Sequence, residues 1–186
     1  MSPPSVARTI KRLMPTQNSQ RRRIRLPAEV YAELGAICSI TIAVKDRAPV
    51  FARPAMTAAA VDALRRHAAA TGVPFYAWCV MPDHVYLIVE ASPTCDIVTL
   101  VGQFKNLAQR EAWRRGITGT FWQTSFWDHV LRADERLAEV VEYVLNNPVR
   151  SGLVKKWSAY RFSGSSVFAL ADAGGGQAPA LQRKSG

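Results

Sequence analysis

Two side chains four residues apart, Tyr143 and Asn147, could act together on a phosphorus centre. They end an apolar-periodic segment, and residues four apart on a helix are neighbours on one face. A phenol can bond covalently to phosphorus, and an amide oxygen can hold a hard cation beside it. Tyr143 could instead pack in the core, and Asn147 could simply end the helix before Pro148. Tyr143 lies at the edge of the apolar stripe, which favours the chemical role.

A further candidate is His84, which belongs to the stretch MPDHVYLIVE at 81–90. Alternation along a strand puts His84 and Tyr86 on the same face. A lone histidine on a strand is more often a hydrogen-bonded structural residue than a ligand. If the last helix packs over this face, Tyr143 and Asn147 approach His84. The resulting imidazole and amide-oxygen donors would suit Mg²⁺ or Mn²⁺.

These segments resemble the signatures of the REP-associated tyrosine transposases, a branch of the single-tyrosine HUH transposases. That family's strand motif is a Met-Pro-Asn-His-hydrophobic-His-Leu run. Its helix motif is a Tyr followed by Asn-Pro-Val and Gly-Leu, which is similar to EYVLNNPVRSGL at 142–153. The linking stretch 121–132 is also similar. The resemblance covers roughly residues 36 to 166.

The resemblance implies cleavage and rejoining of single-stranded DNA at hairpins of the repetitive extragenic (REP) type, through a 5′-phosphotyrosine intermediate. Tyr143 would be the catalytic nucleophile, and His84 and Asn147 would hold Mg²⁺ or Mn²⁺. Tyr86 departs from the family pattern, because it stands where the second histidine is expected. A neutral phenol is a weaker donor than imidazole, and deprotonating it costs about 1.4 kcal/mol per pKa unit. Either Tyr86 or His129 could complete the site, although His129 could equally belong to a packed face.

Two other functions remain open. The first is a hairpin- or sequence-specific DNA-binding relative whose metal site has degenerated, which Tyr86 makes plausible. The second is an RNA-binding domain with the same architecture. The RNA reading is disfavoured because the chain has no aromatic-rich strand motif of the RNP type.

Charge favours a polyanionic partner. The chain has 24 Lys and Arg against 14 Asp and Glu, a net charge of +10 and a pI near 10.1. Residues 1–25 hold seven basic residues and no acidic one, which is typical of a phosphate-binding arm. An import presequence is the competing interpretation. The residues expected to contact DNA are Arg21, Arg22, Arg23, Arg25, Lys105, Arg110, Arg114, Arg115, Arg132 and Arg150.

Aromatic residues accompany this charge. They could stack on unpaired bases of a single strand or a hairpin end, or they could pack in the core. The candidates are Trp113, Phe121, Trp122, Phe126 and Trp127.

The elements that must position these groups follow from hydrophobic periodicity. The predicted order is strand 36–44, helix 57–70 capped by Thr57, strands 73–81 and 84–90, helix 96–115, strand 126–132, and a helix capped by Asp134 that carries Tyr143. This order predicts an α+β fold. It is a split βαβ (ferredoxin- or RRM-like) antiparallel sheet packed by helices, with an added C-terminal catalytic helix. His67 is expected on the surface of the first helix.

The predicted organisation is a basic arm at 1–30, a catalytic domain at 31–168 and a disordered tail at 169–186. The three cysteines lack metal-site or disulfide spacing and are expected to be buried, reduced thiols. No apolar run approaches a membrane span or forms a secretory signal. A cytoplasmic protein, nucleoid-associated when bound to DNA, is therefore expected, as a monomer or homodimer.

Overall fold

The structure, a computed structural model, describes residues 35–92, 95–132, 135–171 and 180–183. Its centre is a five-stranded antiparallel sheet with the strand order β4-β1-β3-β2-β5. The strands are β1 Ile37–Ala43, β2 Phe75–Met81, β3 His84–Glu90, β4 Trp127–Val130 and β5 Ser163–Gly164. Strands β2 and β3 form an antiparallel hairpin across Pro82 and Asp83.

Among the described residues, four α-helices cover the sheet. They are α1 Pro54–Thr71, α2 Ile97–Arg114, α3 Leu137–Leu145 and α4 Asn147–Arg150. Short 3₁₀ helices span Lys45–Arg47, Val50–Ala52 and Trp157–Ala159. The element order and the sheet confirm the split βαβ fold with an added helix.

Strand alternation builds two apolar layers, one on each face of the sheet. One face packs against α1 and α2, and Leu87, Leu64 and Phe104 belong to the larger cluster there. The opposite face packs against α3, where Ile88 meets Val141 and Val144. Helix α3 is therefore held by its apolar stripe, and its polar edge is available to the site.

The helix starts follow local capping chemistry. Asp96 caps α2, because its side chain accepts hydrogen bonds from the Val98 and Thr99 amides. The expected cap at Thr57 is wrong. Helix α1 begins at Pro54, a residue preorganised for the first turn, and the Thr57 hydroxyl donates to the carbonyls of Phe51 and Arg53.

The structure differs from three other expectations. The residue at the N-cap of α3 is Arg136 rather than Asp134, and Asp134 itself lies outside the described residues. His67 is buried, 8% exposed, because it lies on the inner side of α1 against the Phe75 ring. The expected tail is partly ordered: β6 Phe168–Ala171 pairs with β7 Ala180–Arg183.

The basic arm at 1–30 lies outside the described residues. Cys38, Cys79 and Cys95 are buried free thiols, as expected. Burial and the charge of Asp128 raise the pKa of Cys38 to about 12, so this thiol is not a reactive thiolate at neutral pH. Among the helices that the structure describes, none combines the length and apolarity needed to cross a bilayer.

Candidate functional site

Helix α3 lies over the sheet face that carries His84 and Tyr86. Tyr86 stands opposite Thr41 on β1 and Cys79 on β2. Tyr86 and Tyr143 both pack against the apolar cluster between this face and α3. The rings of His84 and Tyr86 meet edge to face, with 4.6 Å between centroids. The structure thus brings the two phenols and the imidazole into one region.

His84 is oriented by its neighbour in sequence. Its Nδ1 atom lies 2.5 Å from Oδ1 of Asp83, which in the neutral ring holds the proton on Nδ1 and leaves a lone pair on Nε2. Nε2 is buried and has no hydrogen-bond partner among the described residues. A carboxylate that orients one ring nitrogen while the other is open is typical of metal-binding histidines.

Arg47 completes this arrangement, and sequence reasoning did not identify it. Its Nη1 atom lies 3.2 Å from Oδ2 of Asp83 and 3.3 Å from Nδ1 of His84. Asp46 and Arg47 have φ angles of 54° and 55°, a left-handed conformation that costs non-glycine residues energy. Nothing in the local sequence indicates this contact, because Arg47 and Asp83 are 36 residues apart.

Asp83 stays ionised in this setting. Burial raises its pKa, but the hydrogen bond and electrostatic interaction with His84 and the positive charge of Arg47 outweigh that effect, so its pKa lies below the ordinary value. An ionised Asp83 holds the imidazole and the guanidinium together.

Arg150 joins the two residues of the helix motif. Its guanidinium carbon lies 3.7 Å from the centroid of the Tyr143 ring. Nη1 donates to the Tyr143 carbonyl at 2.9 Å, and Nη2 donates to Asn147 Oδ1 at 2.6 Å. The Asn147 amide nitrogen donates to the carbonyls of Tyr143 and Val144. Asn147, 7% exposed, therefore caps the end of α3 while Arg150 holds its oxygen.

Tyr86 is a protonated phenol. Burial and the neighbouring Tyr143 raise its pKa to about 12, and the charges of Arg150 and Arg47 only partly offset them. At neutral pH this side chain offers a metal only a weak neutral oxygen.

The structure does not bring His129 to His84. His129 pairs with Ser39 on β1, whereas His84 pairs with Ala43. Two strand spacings and four residues of offset separate them by ~16 Å. His129 instead contacts Glu135, which follows β4 in the chain, with 2.9 Å between Nε2 of His129 and Oε2 of Glu135.

The donors fit a divalent cation only in part. Within the described ranges, no three His, Cys, Asp or Glu side chains gather into a metal cluster. By donor type, His84 Nε2 and Asn147 Oδ1 suit Mn²⁺ or Mg²⁺ with water as the remaining ligands, provided that Arg150 releases the amide oxygen. Tyr86 does not fit while it is protonated. Ser39 Oγ and Thr41 Oγ1, on the same sheet face, are also buried without partners among the described residues.

The candidate DNA-contacting residues are spread over different surfaces. Arg110, Arg114 and Arg115 are exposed on or just beyond α2, across the sheet from Arg150. Arg114 and Arg115 both pair with Glu111.

Two more of these candidates differ in whether their side chains are free to reach DNA. Lys105 donates to the carbonyls of Gln123 and Ser125 and so holds a loop, whereas Arg132 is exposed. The remaining candidates, Arg21, Arg22, Arg23 and Arg25, lie outside the described residues.

Burial separates the aromatic candidates. Trp113 is 54% exposed, and its indole nitrogen donates to the Gly119 carbonyl. Phe121 is buried, and Trp122 packs against the rings of Phe51 and Phe104. Trp113 is therefore the best placed of the five to stack on a base.

Comparisons with known proteins agree with this architecture. Residues 35–147 match the family model described as "Transposase IS200 like". A provisionally named REP-associated tyrosine transposase of Haemophilus influenzae is 30% identical over 93 residues, covering 42% of this chain and 53% of the relative. A REP-associated tyrosine transposase of Escherichia coli K12 is 29% identical over 87 residues, covering 47% and 51%. The chain thus spans about half the length of these curated relatives.

A solved structure has the same fold. It is a REP-associated tyrosine transposase bound to a REP hairpin, with a TM-score of 0.55 and 23% identity, covering 78% of this chain and 82% of that chain.

Proposed function

Because this chain belongs to the IS200-like transposase family, we propose that it cleaves and rejoins single-stranded DNA at REP-like hairpins. Tyr143 is the nucleophile in this proposal. The observation that carries it is the packing of Tyr143 on α3 against the same apolar cluster as Tyr86, whose ring contacts His84. The hairpin-bound protein of the same fold supports hairpin DNA as the partner.

The proposed reaction is a transesterification. The Tyr143 oxygen bonds to the phosphorus of a phosphodiester, and the bond from phosphorus to the 3′ oxygen breaks. The phenolic proton leaves Tyr143, and the departing 3′ oxygen takes up a proton to become a hydroxyl. The 5′-phosphotyrosyl bond keeps the bond energy, so the 3′ hydroxyl can reverse the step to rejoin strands.

The residues of the site have separate tasks. Asp83 and Arg47 orient His84, and the packing of α3 orients Tyr143. Mg²⁺ or Mn²⁺ held by His84 Nε2 and Asn147 Oδ1 would stabilise the charge that develops on the phosphoryl oxygens. Arg150 supplies a permanent positive charge beside Tyr143.

The remaining DNA would contact basic and aromatic residues on more than one surface of the protein. Arg132, Arg110 and the N-terminal arm offer phosphate contacts, and Trp113 offers a stacking surface for an unpaired base. Recognition of a hairpin would combine these contacts with attack at Tyr143.

The direct test is incubation of the full chain with a labelled REP-type hairpin and Mn²⁺. Cleavage and a detergent-stable protein–DNA adduct are expected. An unstructured strand of the same composition serves as the substrate control. Absence of both products across a range of Mn²⁺ concentrations would reject the proposed activity.

A DNA-binding protein without cleavage is the second candidate. The protonated Tyr86 and the engaged Asn147 oxygen favour it, because both weaken a metal site. Tight hairpin binding in the same assay, without cleavage or Mn²⁺ binding, would select this candidate.

Deleting residues 1–25 should make DNA binding less dependent on salt. The deletion removes seven positive charges, and each lost contact to single-stranded DNA reduces the slope of log affinity against log salt by about 0.7. Titrations by fluorescence anisotropy at several salt concentrations measure this slope. A variant with the seven basic residues changed to Gln separates charge from chain length, and an unchanged slope would show that the arm does not contact phosphate.

A further inference from the structure

Arg150 is tied to both functional residues of the helix motif. Its two terminal nitrogens bind the Tyr143 carbonyl and Asn147 Oδ1, and its plane covers the Tyr143 ring. The residue is nevertheless exposed, so a DNA phosphate can reach the guanidinium from solvent.

This contact competes with a metal for the same atom. A hydrogen bond of 2.6 Å from a charged guanidinium occupies Asn147 Oδ1, and the positive charge repels a second cation. The amide nitrogen is held by the end of α3, which keeps Oδ1 pointing toward Arg150. In the DNA-free protein the oxygen is therefore blocked.

A phosphate is a better partner for Arg150 than the amide is. The amide oxygen is neutral and accepts one hydrogen bond here, whereas a phosphate is charged and can accept two parallel bonds from the guanidinium fork. A scissile phosphate delivered to Tyr143 would arrive beside Arg150, because the guanidinium lies on the Tyr143 ring.

We propose that Arg150 is a substrate-released latch: it holds Asn147 Oδ1 in the free protein and transfers to the DNA phosphate when the hairpin binds. The transfer frees Asn147 to bind the divalent cation only when substrate is present. This inference rests on the proposed function and makes Arg150 a positioning residue for the metal site. By linkage, DNA binding and metal binding then strengthen each other by the same factor.

The test measures Mn²⁺ affinity without turnover, by electron paramagnetic resonance of free Mn²⁺. Without DNA, Arg150→Ala should bind Mn²⁺ about fivefold more tightly than the unaltered chain, the equivalent of one net hydrogen bond. Arg150→Lys keeps the charge but cannot bind both acceptors, so it should give a smaller gain. Arg66→Ala, which removes an exposed arginine of α1, should leave the affinity unchanged.

The second part of the test adds hairpin DNA to the Tyr143→Phe variant, which lacks the proposed nucleophile. Hairpin should tighten Mn²⁺ binding in that background, and adding Arg150→Ala should remove most of this DNA-dependent gain. Circular dichroism of each variant checks that the fold is kept.

The outcomes separate the latch from the proposed function. Equal or weaker Mn²⁺ binding by both folded Arg150 variants without DNA overturns the latch, whether or not the unaltered chain cleaves. DNA-dependent Mn²⁺ binding that requires Arg150, together with absence of strand cleavage by the unaltered chain, supports the latch and rejects the cleavage proposal. If Arg150→Ala binds Mn²⁺ more tightly but the hairpin does not tighten Mn²⁺ binding in the Tyr143→Phe background, Arg150 blocks the site without being released by DNA, and the latch is overturned.

Discussion

Replacing Tyr143 with Phe should abolish strand cleavage and the covalent adduct while hairpin binding stays nearly intact. Phenylalanine keeps the ring that packs against the α3 cluster and under Arg150, but it has no oxygen to attack phosphorus. Loss of the nucleophile should reduce the cleavage rate by at least about 1000-fold. This is the largest effect that we expect from a single substitution in the chain.

The measurement should use a hairpin labelled at its 3′ end, because the proposed intermediate keeps the downstream fragment on the protein. The adduct then migrates with the protein in a denaturing gel. Tyr86→Phe is the matched control, since it removes the other phenol of the site and should still form the adduct. An adduct that survives Tyr143→Phe but disappears in Tyr86→Phe would assign the nucleophile to Tyr86.

Changing Tyr86 to His should tighten Mn²⁺ binding by about 10-fold or more, given how strongly metal sites respond even to changes around their ligands. Tyr86 shares a sheet face with His84, and the two rings are in contact. A second imidazole there offers a lone pair without a proton to remove at neutral pH. The phenol, whose pKa is raised to about 12, does not.

The pH dependence distinguishes this explanation from a general change in packing. A neutral imidazole binds metal and a protonated one does not, so the gain in Tyr86→His should shrink as the pH falls below about 6.5. Tyr86→Phe should show no such gain. If the unaltered chain cleaves well and Tyr86→His lowers the rate, the chain uses the phenol in its site. The presence of Tyr86 where the family has histidine would then not be a loss of function.

These two substitutions test different parts of one arrangement. Tyr143 is held by α3, whereas Tyr86 and His84 are held by β3, and only the packing of α3 on the sheet joins them. Arg150 reaches both Tyr143 and Asn147 from α4. Tyr143→Phe therefore tests the reacting group, and Tyr86→His tests the metal donors.

Much of the fold followed from the sequence because its causes are local. The alternation at 84–90 predicted β3 with the correct bounds. The predicted helix 96–115 agrees with α2, since the Asp96 carboxylate can cap a helix start and Gly116, with a φ of 74°, can follow a helix end. Tyr143 and Asn147 could be proposed as a pair from their spacing, and His84 could be proposed from its motif. These features depend on residues within a few positions of each other.

Only the tertiary structure decided which side chains of the site are in contact. The contact of Arg47 with Asp83 and the distance of His129 from His84 depend on how the sheet is assembled, and the burial of His67 depends on the packing of α1 on that sheet. These three features join residues that are far apart along the chain, so no local pattern carries them. Arg150 and Asn147 are only three residues apart, but their contact depends on the change from α3 to α4 at Asn146. The sequence therefore determined which groups could react, and the packing of α3 on the sheet determined which of them meet.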